Sequence, residues 1–368
     1  MTDVATLGEF GLIQRLTADL RPQCPETLLG PGDDCAILRY TDADDILLST
    51  DMLMEGIHFD LTYTPLRYLG YKSAMVNLSD IYAMGGQPKQ LTVSLALSKR
   101  FSVEDIDEFY DGLQKACQQH NVDLVGGDTT TSLTGLAISI TVIGQVPHGQ
   151  AIRRSTAQPT DLICVSGDLG AAYMGLQLLE REKRVYYAQL QKAHNLQGKA
   201  SEDALRQLET AQPDFAGREY LLQRQMRPEA RRDILQALQQ AGLRPTAMMD
   251  ISDGLSSELM HICTQSHVGC RIYEERLPID YQTAAAAEEC NISPITCALN
   301  GGEDYELLFT LPLTDHEKIA QVKDIHLIGH ITEDNLGRCL VTSDGQEFPL
   351  KAQGWNPLNN NNNATQDN

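Results

Sequence analysis

Aspartates stand repeatedly at the edges of apolar segments in this chain. In MMDISDGL, residues 248–255, Asp250 and Asp253 directly follow an apolar run. Other acids lie next to apolar segments and beside glycine, serine or threonine: Asp33 and Asp34 in GPGDDCAIL, Asp51 in LLSTDM, Asp80 in VNLSDIYAMGG and Asp128 in LVGGDTT. A single aspartate of this kind is ordinarily a helix cap or a turn residue. The repetition favours a shared function for these carboxylates.

Asp80 is the acid that capping explains least well. It falls inside a predicted helix between apolar neighbours, where aspartate has poor helix propensity and an unpaired buried charge is costly. Asn77 lies one turn earlier and faces the same way. This position indicates that Asp80 has a charged partner that the neighbouring sequence does not supply.

Carboxylates that converge need a cation among them. Two unit charges about 4 Å apart repel by about 4 kcal/mol at an effective dielectric near 20. No cluster of lysine or arginine adjoins these motifs, and ligand sets made of oxygen favour Mg²⁺ or Ca²⁺. Mg²⁺ is usually shared between carboxylates and substrate phosphates. The pattern therefore predicts magnesium-dependent nucleotide chemistry.

The common phosphate-binding loops are absent from the sequence. It contains no GxxxxGK[ST], no GxGxxG and no kinase HRD motif. Phosphate contacts would then come from metal ions, from the glycine turn GGDTT at 126–130, and from an arginine such as Arg153 or Arg154. A plain turn and an exposed linker pair stay open as alternatives for these two segments.

Other residues keep two interpretations. His58, in MEGIHFD, either hydrogen-bonds a phosphate or is satisfied in the core. Glu303 and Asp304, in GGEDYELLF, either face a ligand or form a charged turn. Trp355, the only tryptophan, either closes over a ligand or anchors packing.

Length and composition limit the possible classes of protein. A chain of 368 residues is too long for one small core, so two domains are expected. With 29 basic and 50 acidic residues, the net charge of −21 argues against binding to nucleic acid or to an anionic membrane. The nine cysteines show no metal-ligand spacing, and no signal peptide or membrane-spanning run is present. We expect reduced thiols and a cytoplasmic location.

The elements that must position these acids alternate between strand and helix. Strands are predicted at 46–51, 90–98, 122–126 and 136–146, and then within DLICVSG, TAMMDIS, GCRIYEE, YELLFTL and IHLIGHI. Helices are predicted over 66–84, ended by Gly85 and Gly86, and after a capping box formed by Ser102 and Asp105. The pattern predicts an α/β protein of two domains, 1–150 and 151–355, with a helical surface insertion at 183–222 and a disordered tail at 356–368.

Read in order, the motifs resemble the thiamine-monophosphate kinase family, which belongs to the superfamily of aminoimidazole-ribonucleotide synthetase and selenophosphate synthetase. The resemblance extends from Gly8 to Trp355 without the insertion. It rests on GEFGLI (8–13), GDDCAIL (32–38), STDMLMEGIHF (49–59), AMVNLSDIYAMGG (74–86), LVGGDTT (124–130), RRS (153–155), DISDGLSSEL (250–259) and GGEDYELLFT (301–310).

The resemblance implies an enzyme that uses ATP and several Mg²⁺ ions to phosphorylate thiamine monophosphate to thiamine diphosphate. It also implies a homodimer in which the amino-terminal sheets form a barrel, followed by a carboxyl-terminal α/β domain. The positions that match the family's metal ligands are Asp34, Ser49, Thr50, Asp51, Asp80, Asp128, Asp250 and Asp253. Those that match its ATP contacts are Gly127, Asp128, Arg154 and Ser252, and those that match its substrate contacts are His58, Glu303 and Trp355. The expected catalytic residues are Asp51, Asp80, Asp128 and Arg154.

Two alternatives stay open at this point. The chain could be another ATP-dependent member of the same superfamily that acts on a different acceptor. It could also be a non-catalytic acidic protein that buffers divalent cations or senses a nucleotide, although this leaves unexplained why the acids are spread over two blocks beside glycine turns.

Overall fold

Two β-sheets with helices packed against them form the fold. The structure is a computed structural model that describes residues 8–18, 24–196, 204–206, 208, 213 and 215–352. A sheet of six strands comes from the first part of the chain and a sheet of seven strands from the second, which confirms the predicted α/β class. Trp355, the predicted tail at 356–368 and the middle of the predicted insertion lie outside the described residues.

The first sheet has the strand order β1-β2-β3-β6-β4-β5. Only the pairing of β4 with β5 is parallel; the other neighbours are antiparallel. Its strands are β1 (Thr27–Leu29), β2 (Ala36–Leu38), β3 (Asp44–Met54), β4 (Gln87–Leu97), β5 (Asp123–Thr131) and β6 (Ala137–Pro147). The helices of this part are α1 (Gly8–Thr17), α2 (Leu66–Ala83) and α3 (Val103–His120).

The second sheet has the order β13-β12-β9-β11-β7-β10-β8. Its strands are β7 (Leu162–Ser166), β8 (Ala247–Asp250), β9 (Val268–Tyr273), β10 (Leu307–Leu311), β11 (Ile325–Glu333), β12 (Arg338–Val341) and β13 (Glu347–Pro349). Its helices are α4 (Ala171–His194), α5 (Glu219–Met226), α6 (Arg232–Gln240), α7 (Leu255–Ser266), α8 (Tyr281–Glu289), α9 (Pro294–Asn300) and α10 (His316–Ile319), with 3₁₀ turns at Glu274–Arg276, Leu313–Asp315 and Asp334–Leu336.

The predicted strands and helices are present, with ends shifted by a few residues. The capping box is confirmed, because Ser102 Oγ accepts from Asp105 N at 3.2 Å and Asp105 Oδ2 accepts from Ser102 N at 2.8 Å. Helix α2 ends before Gly85, whose φ of +74° is the left-handed conformation that glycine tolerates best. The sequence did not predict β1, β2, β12 and β13, which have only three or four residues each and carry little periodic signal.

Helix α2 is the central element of the fold. It packs on one face of the first sheet, against α3, and against β8 of the second sheet. Gly70 permits a very close crossing with α3, because a Cβ there would lie 1.9 Å from the Phe109 carbonyl oxygen. Contacts on several sides bury most of the helix, including the polar Lys72, Asn77 and Ser79. Its side chains can therefore reach both halves of the molecule.

The described part of the predicted insertion is mostly helical. Helix α4 continues through it to His194, and Lys183 of this helix bonds Asp60 at 2.5 Å. Glu180, one turn earlier, accepts from Tyr63 Oη at 2.8 Å. These contacts join α4 to the loop that carries His58. Among the described residues, no helix is both long and apolar enough to cross a membrane.

A buried histidine lies where α3 packs on α2. His120 is 4% exposed, and its Nδ1 lies 2.8 Å from Tyr82 Oη. Its Nε2 is buried without a hydrogen-bond partner among the described residues. Burial, with a further contribution from Arg232, lowers the pKa of His120 to about 4.

His120 should make the fold sensitive to mild acid. Below the ordinary histidine pKa of about 6.5 the unfolded chain binds a proton that the native site refuses, so native stability falls as pH drops from about 6.5 towards about 4. We expect His120→Gln to remove up to about 3 kcal/mol of this pH-dependent loss. Urea unfolding at pH 7.5 and pH 4.5 measures the difference.

The matched control is His326→Gln, whose side chain is exposed on β11. Equal pH dependence of unfolding in wild type and in His120→Gln would show that His120 does not remain neutral in the native state.

Candidate functional site

Three carboxylates from distant parts of the chain meet between the two sheets. Asp34 lies in the loop before β2, Asp80 in the last turn of α2, and Asp250 at the end of β8. One carboxylate oxygen from each lies within 4.8 Å of the others. We call these residues the aspartate cluster. The convergence that the sequence predicted is therefore present for these three acids.

Hydroxyl groups and one arginine hold the aspartate cluster in place. Ser49 Oγ of β3 donates to Asp80 Oδ2 at 2.5 Å, and Ser79 Oγ of α2 donates to Asp250 Oδ2 at 2.5 Å. Arg154, in the segment between the two sheets, bonds Asp34 and also Asp33, with Nε 3.2 Å from Asp33 Oδ1. Because Ser79 and Asp80 are consecutive, α2 bonds both Asp250 of the second sheet and Ser49 of the first sheet.

The cluster carries more negative charge than its surroundings balance. Burial raises the pKa of Asp80 well above its usual range, and the charges of Asp51 and Asp250 raise it further. Burial also raises the pKa of Asp34 and of Asp250, although Arg154 acts in the opposite direction on both. Raised pKa values favour the protonated carboxylates. A divalent cation would displace these protons, because metal ligands must be ionised.

The donors of the cluster fit magnesium. They are all oxygen atoms, and Asp34 Oδ2 is buried without a hydrogen-bond partner among the described residues. Ser49 and Asp51 lie on the face of β3 that α2 covers, so they can contribute further oxygen ligands. Asp253 follows in the turn after β8, and its charge affects buried groups of the site. These residues would hold Mg²⁺ in the cleft between the sheets.

Thr50 and Asp128 lie on the opposite face of the first sheet. Thr50 alternates with Ser49 and Asp51 along β3, and its hydroxyl donates to the Ile140 carbonyl at 3.0 Å. Asp128 of β5 is level with Ser94, Ser139 and Met52 in a row that shares the face of Thr50. It is exposed and three strand spacings, about 14 Å, from β3. The structure does not bring these side chains to the aspartate cluster within one chain.

A second group of side chains lies beside the cluster. His58 Nδ1 accepts from Met54 N at 2.9 Å, so the neutral ring carries its proton on Nε2. Burial lowers the pKa of His58; the charge of Glu303 raises it, and the charge of Lys72 lowers it further. Lys72 Nζ lies 3.0 Å from Glu303 Oε1. The structure thus brings together His58 and Glu303, two of the residues that the sequence related to substrate binding.

The turn that carries Glu303 is conformationally constrained. Glu303 and Tyr305 have φ values of +58° and +51°, a region that side chains other than glycine rarely adopt. Hydrogen bonds from Glu303 N to Ser252 O at 2.6 Å and from Tyr305 N to Ile251 O at 2.8 Å hold the turn beside Asp253. This arrangement fixes the turn that carries Glu303 to the turn that carries Asp253.

Asp304 has a structural role. It is 3% exposed and accepts from Gly170 N at 2.8 Å and Ala172 N at 3.4 Å, which caps the amino terminus of α4. Burial raises its pKa to about 7, against the effect of Arg224. Of the two interpretations of this acid, the geometry favours the structural one.

Sequence reasoning missed several residues that shape the site. Glu258 is 1% exposed in the first turn of α7 and accepts from Asp253 N at 2.9 Å. Burial raises its pKa well above the usual range, as does Asp253. Ser79 and Lys72 act through partners that are distant in the chain. The one available signal was the placement of Lys72 and Ser79 in the helix that carries Asp80.

Known proteins resemble this chain over nearly its whole length. The profile of the family "AIR synthase related protein, N-terminal domain" matches residues 32–146. Thiamine-monophosphate kinase of Bacillus subtilis (strain 168) is 31% identical over 361 residues, which cover 95% of this chain and 99% of that protein. The enzyme of the same name from Aquifex aeolicus (strain VF5) is 34% identical, with 95% and 97% covered. A solved structure, AaThiL complexed with AMPPCP and TMP, has a TM-score of 0.78 and 32% identity, covering 97% of this chain and 99% of that one.

Replacement of Asp80 should separate stability from metal binding. Asp80→Asn keeps an oxygen acceptor for Ser49 but removes one of the crowded charges. Without divalent cations we expect its melting temperature to equal or exceed that of wild type, since like-charge repulsion is relieved. With Mg²⁺ we expect wild type to gain stability through ligand linkage and the variant to gain much less. Thermal unfolding with EDTA and with increasing Mg²⁺ gives both comparisons.

Asp107→Asn, exposed on α3, is the control and should respond to Mg²⁺ as wild type does. The assignment is wrong if Asp80→Asn and wild type gain the same stability from Mg²⁺. Because protons compete for these carboxylates, the wild-type response should also increase as pH rises.

Proposed function

We propose that the chain transfers the γ-phosphoryl group of ATP directly to thiamine monophosphate with the assistance of several Mg²⁺ ions. The chain belongs to the thiamine-monophosphate kinase family, and this membership supports the proposal. The observation that carries the proposal is the aspartate cluster, in which three buried or half-buried carboxylates converge beside a bonded arginine, Arg154. The relative solved with AMPPCP and TMP supports the choice of nucleotide and acceptor.

The chain's own contribution is to hold ions and phosphates in register. Asp34, Asp80 and Asp250, with Ser49, Asp51 and Asp253 around them, would ligate Mg²⁺. When bound, the ions neutralise charge on the transferring phosphoryl group and align its oxygens. Arg154 is anchored by Asp33 and Asp34, so its guanidinium adds a fixed positive charge at the edge of the cluster. Gly127 and Ser252 are proposed as further contacts to ATP.

The acceptor explains why the proposal needs no strong base. A phosphate oxygen of thiamine monophosphate is already a nucleophile, so direct attack on the γ-phosphorus requires alignment more than deprotonation. In this in-line step the new P–O bond forms as the bond to the β-phosphate oxygen breaks, and ADP carries away the electron pair. No phosphorylated residue of the chain is formed.

His58 and Glu303 are proposed to bind the organic part of the acceptor. His58 offers its Nε2 proton, since Nδ1 already accepts from Met54 N. Trp355, which lies outside the described residues, is proposed to stack on the heteroaromatic rings, because a cationic thiazolium gains from the face of an indole.

The activity test is formation of thiamine diphosphate from thiamine monophosphate, ATP and Mg²⁺. We expect turnover by wild type, abolition by EDTA, and recovery with Mg²⁺. Asp80→Asn should lower kcat by at least about 100-fold, since it removes both a ligand and charge alignment in the transition state. Product formation by chromatography measures each constant.

Asp107→Asn should retain wild-type activity. Folded, metal-replete protein that forms no thiamine diphosphate would favour one of the two alternatives, and a panel of other acceptors would separate them. A phosphoaspartate or phosphohistidine trapped during turnover would contradict direct transfer.

Homodimerisation through the first sheet belongs to the same proposal. The face that carries Thr50 and Asp128 also exposes apolar side chains, with Met52 59% and Met54 38% exposed. The edge strand β5 of the same sheet exposes Val125 at 58%. Apolar groups grouped on an open sheet face are typical of an interface. A second copy seated there would cover them and would close the sheets into the barrel that the family resemblance implies.

In solution we expect wild type to have a mass about twice its chain mass of 40.6 kDa. Met52→Lys should weaken this association by at least about tenfold, because a charge at an apolar interface is costly. Light scattering over a dilution series measures both. Tyr281→Lys, at an exposed position on α8, is the control and should leave the mass unchanged. A monomeric wild type would contradict the proposal.

A cytoplasmic location is also proposed. All nine cysteines are free, and six of them are buried without a disulfide partner in the fold. Proteins that keep this many reduced thiols ordinarily function in a reducing compartment.

A further inference from the structure

Lys72 is a buried cation that the phosphoryl-transfer chemistry does not use. It lies on α2, two turns before Asp80, and its side chain is 4% exposed. Burial of a lysine requires a partner that compensates for lost hydration. The nearest acid is Glu303, at 3.0 Å, on the opposite side of the cleft between the sheets.

Two donors hold the two oxygens of the Glu303 carboxylate. Lys72 Nζ contacts Oε1 and also donates to the Gln225 carbonyl oxygen at 3.1 Å. Gln225 Nε2 donates to Oε2 at 2.7 Å. Gln225 is 7% exposed, so both donors are themselves fixed by burial. Lys72 and Gln225 thus form one support, which fixes the carboxylate from its protein side.

The Glu303 carboxylate is partly exposed and faces the cleft. Its side chain is 27% exposed, whereas that of Lys72 is 4% exposed. A carboxylate has about four lone-pair directions, and this support uses two of them. The backbone of Glu303 is also fixed, with a φ of +58° and a hydrogen bond to Ser252 O. A pair that served only to join α2 to the second sheet would need neither this open side nor this backbone geometry.

We propose that Lys72 and Gln225 are positioning residues that present Glu303 as a hydrogen-bond acceptor for the amino group of the aminopyrimidine ring. This inference rests on the proposed function. Because Lys72 offsets the charge of Glu303, the site selects by hydrogen-bond donation rather than by attraction for any cation. The Lys72–Glu303–Gln225 arrangement therefore sets selectivity for a ring that carries a donor at this position.

The chemistry of the substrate gives this selectivity a direct test. Thiamine monophosphate carries a 4′-amino group, whereas oxythiamine monophosphate carries an oxygen there and retains the same thiazolium and phosphate. A site built around a fixed acceptor rejects a ligand that lacks the matching donor far more strongly than a site with a mobile acceptor. Loss of the support should therefore reduce discrimination as well as affinity.

The experiment measures kcat and KM for both phosphates in wild type and in Lys72→Met. We expect the variant to raise KM for thiamine monophosphate by about tenfold or more, because the freed carboxylate loses a buried charged partner. Its KM for ATP should change by less than about threefold, since the cluster that holds ATP is untouched. The ratio of kcat/KM values for thiamine monophosphate over oxythiamine monophosphate should fall by about tenfold.

Further variants separate positioning from folding. Arg67 lies on α2, as Lys72 does, and forms an exposed ion pair with Asp111 of α3. Arg67→Met removes this pair and should leave every constant unchanged. Gln225→Leu removes only the donor to Oε2 and should shift the ratio in the same direction, which keeps the test available if Lys72→Met folds poorly. When Glu303→Gln is already present, Lys72→Met should change the kinetic constants little further, because both substitutions break the same Lys72–Glu303 interaction.

The outcomes are distinct. Wild type that fails to phosphorylate thiamine monophosphate overturns the proposed function and this inference with it. Active wild type with an unchanged selectivity ratio in both Lys72→Met and Gln225→Leu overturns the inference alone. Additive effects in the double variant with Glu303→Gln would also overturn it, since Lys72 would then act independently of Glu303.

Discussion

Repulsion between buried carboxylates is the constraint on which the structure depends. Asp34, Asp80 and Asp250 bring like charges together in a place where burial already disfavours ionisation. Hydroxyl donors from Ser49 and Ser79 satisfy single oxygens but supply no charge. Arg154 compensates for only part of the excess. The remaining charge makes binding of divalent cations the natural complement of the fold.

The fold could be predicted from the sequence where periodicity was strong. Strands such as β6 alternate buried and partly exposed residues, and α3 carries its own start signal in Ser102 and Asp105. The convergence of the aspartate cluster could be predicted too, because Asp80 occupies a place where an unpaired acid would be costly. These inferences needed only local patterns and the cost of burying charge.

Other features could not be predicted because they depend on partners remote in the chain. Lys72 pairs with Glu303, and Ser79 donates to Asp250. The sequence also gives no sign that Thr50, unlike Ser49 and Asp51, points away from the aspartate cluster. Its direction depends on which face of β3 is covered by α2. Asp304 and Glu303 are adjacent and equally acidic, yet only the fold shows that one caps α4 while the other faces the cleft.

Helix α2 shows how one cleft can hold two acids whose charges are compensated to different extents. Asp80 belongs to a cluster with too little positive charge, whereas Lys72, eight residues earlier, supplies a full charge to Glu303. Eight residues correspond to about 12 Å along a helix. That spacing suits a ligand with phosphate at one end and a ring at the other. Under the proposed function, cations bound at the aspartate cluster would attract the phosphate groups, and the neutralised Glu303 would recognise the ring by a hydrogen bond. A single rigid helix sets the distance between the two kinds of recognition, so a change at either end can alter one without moving the other.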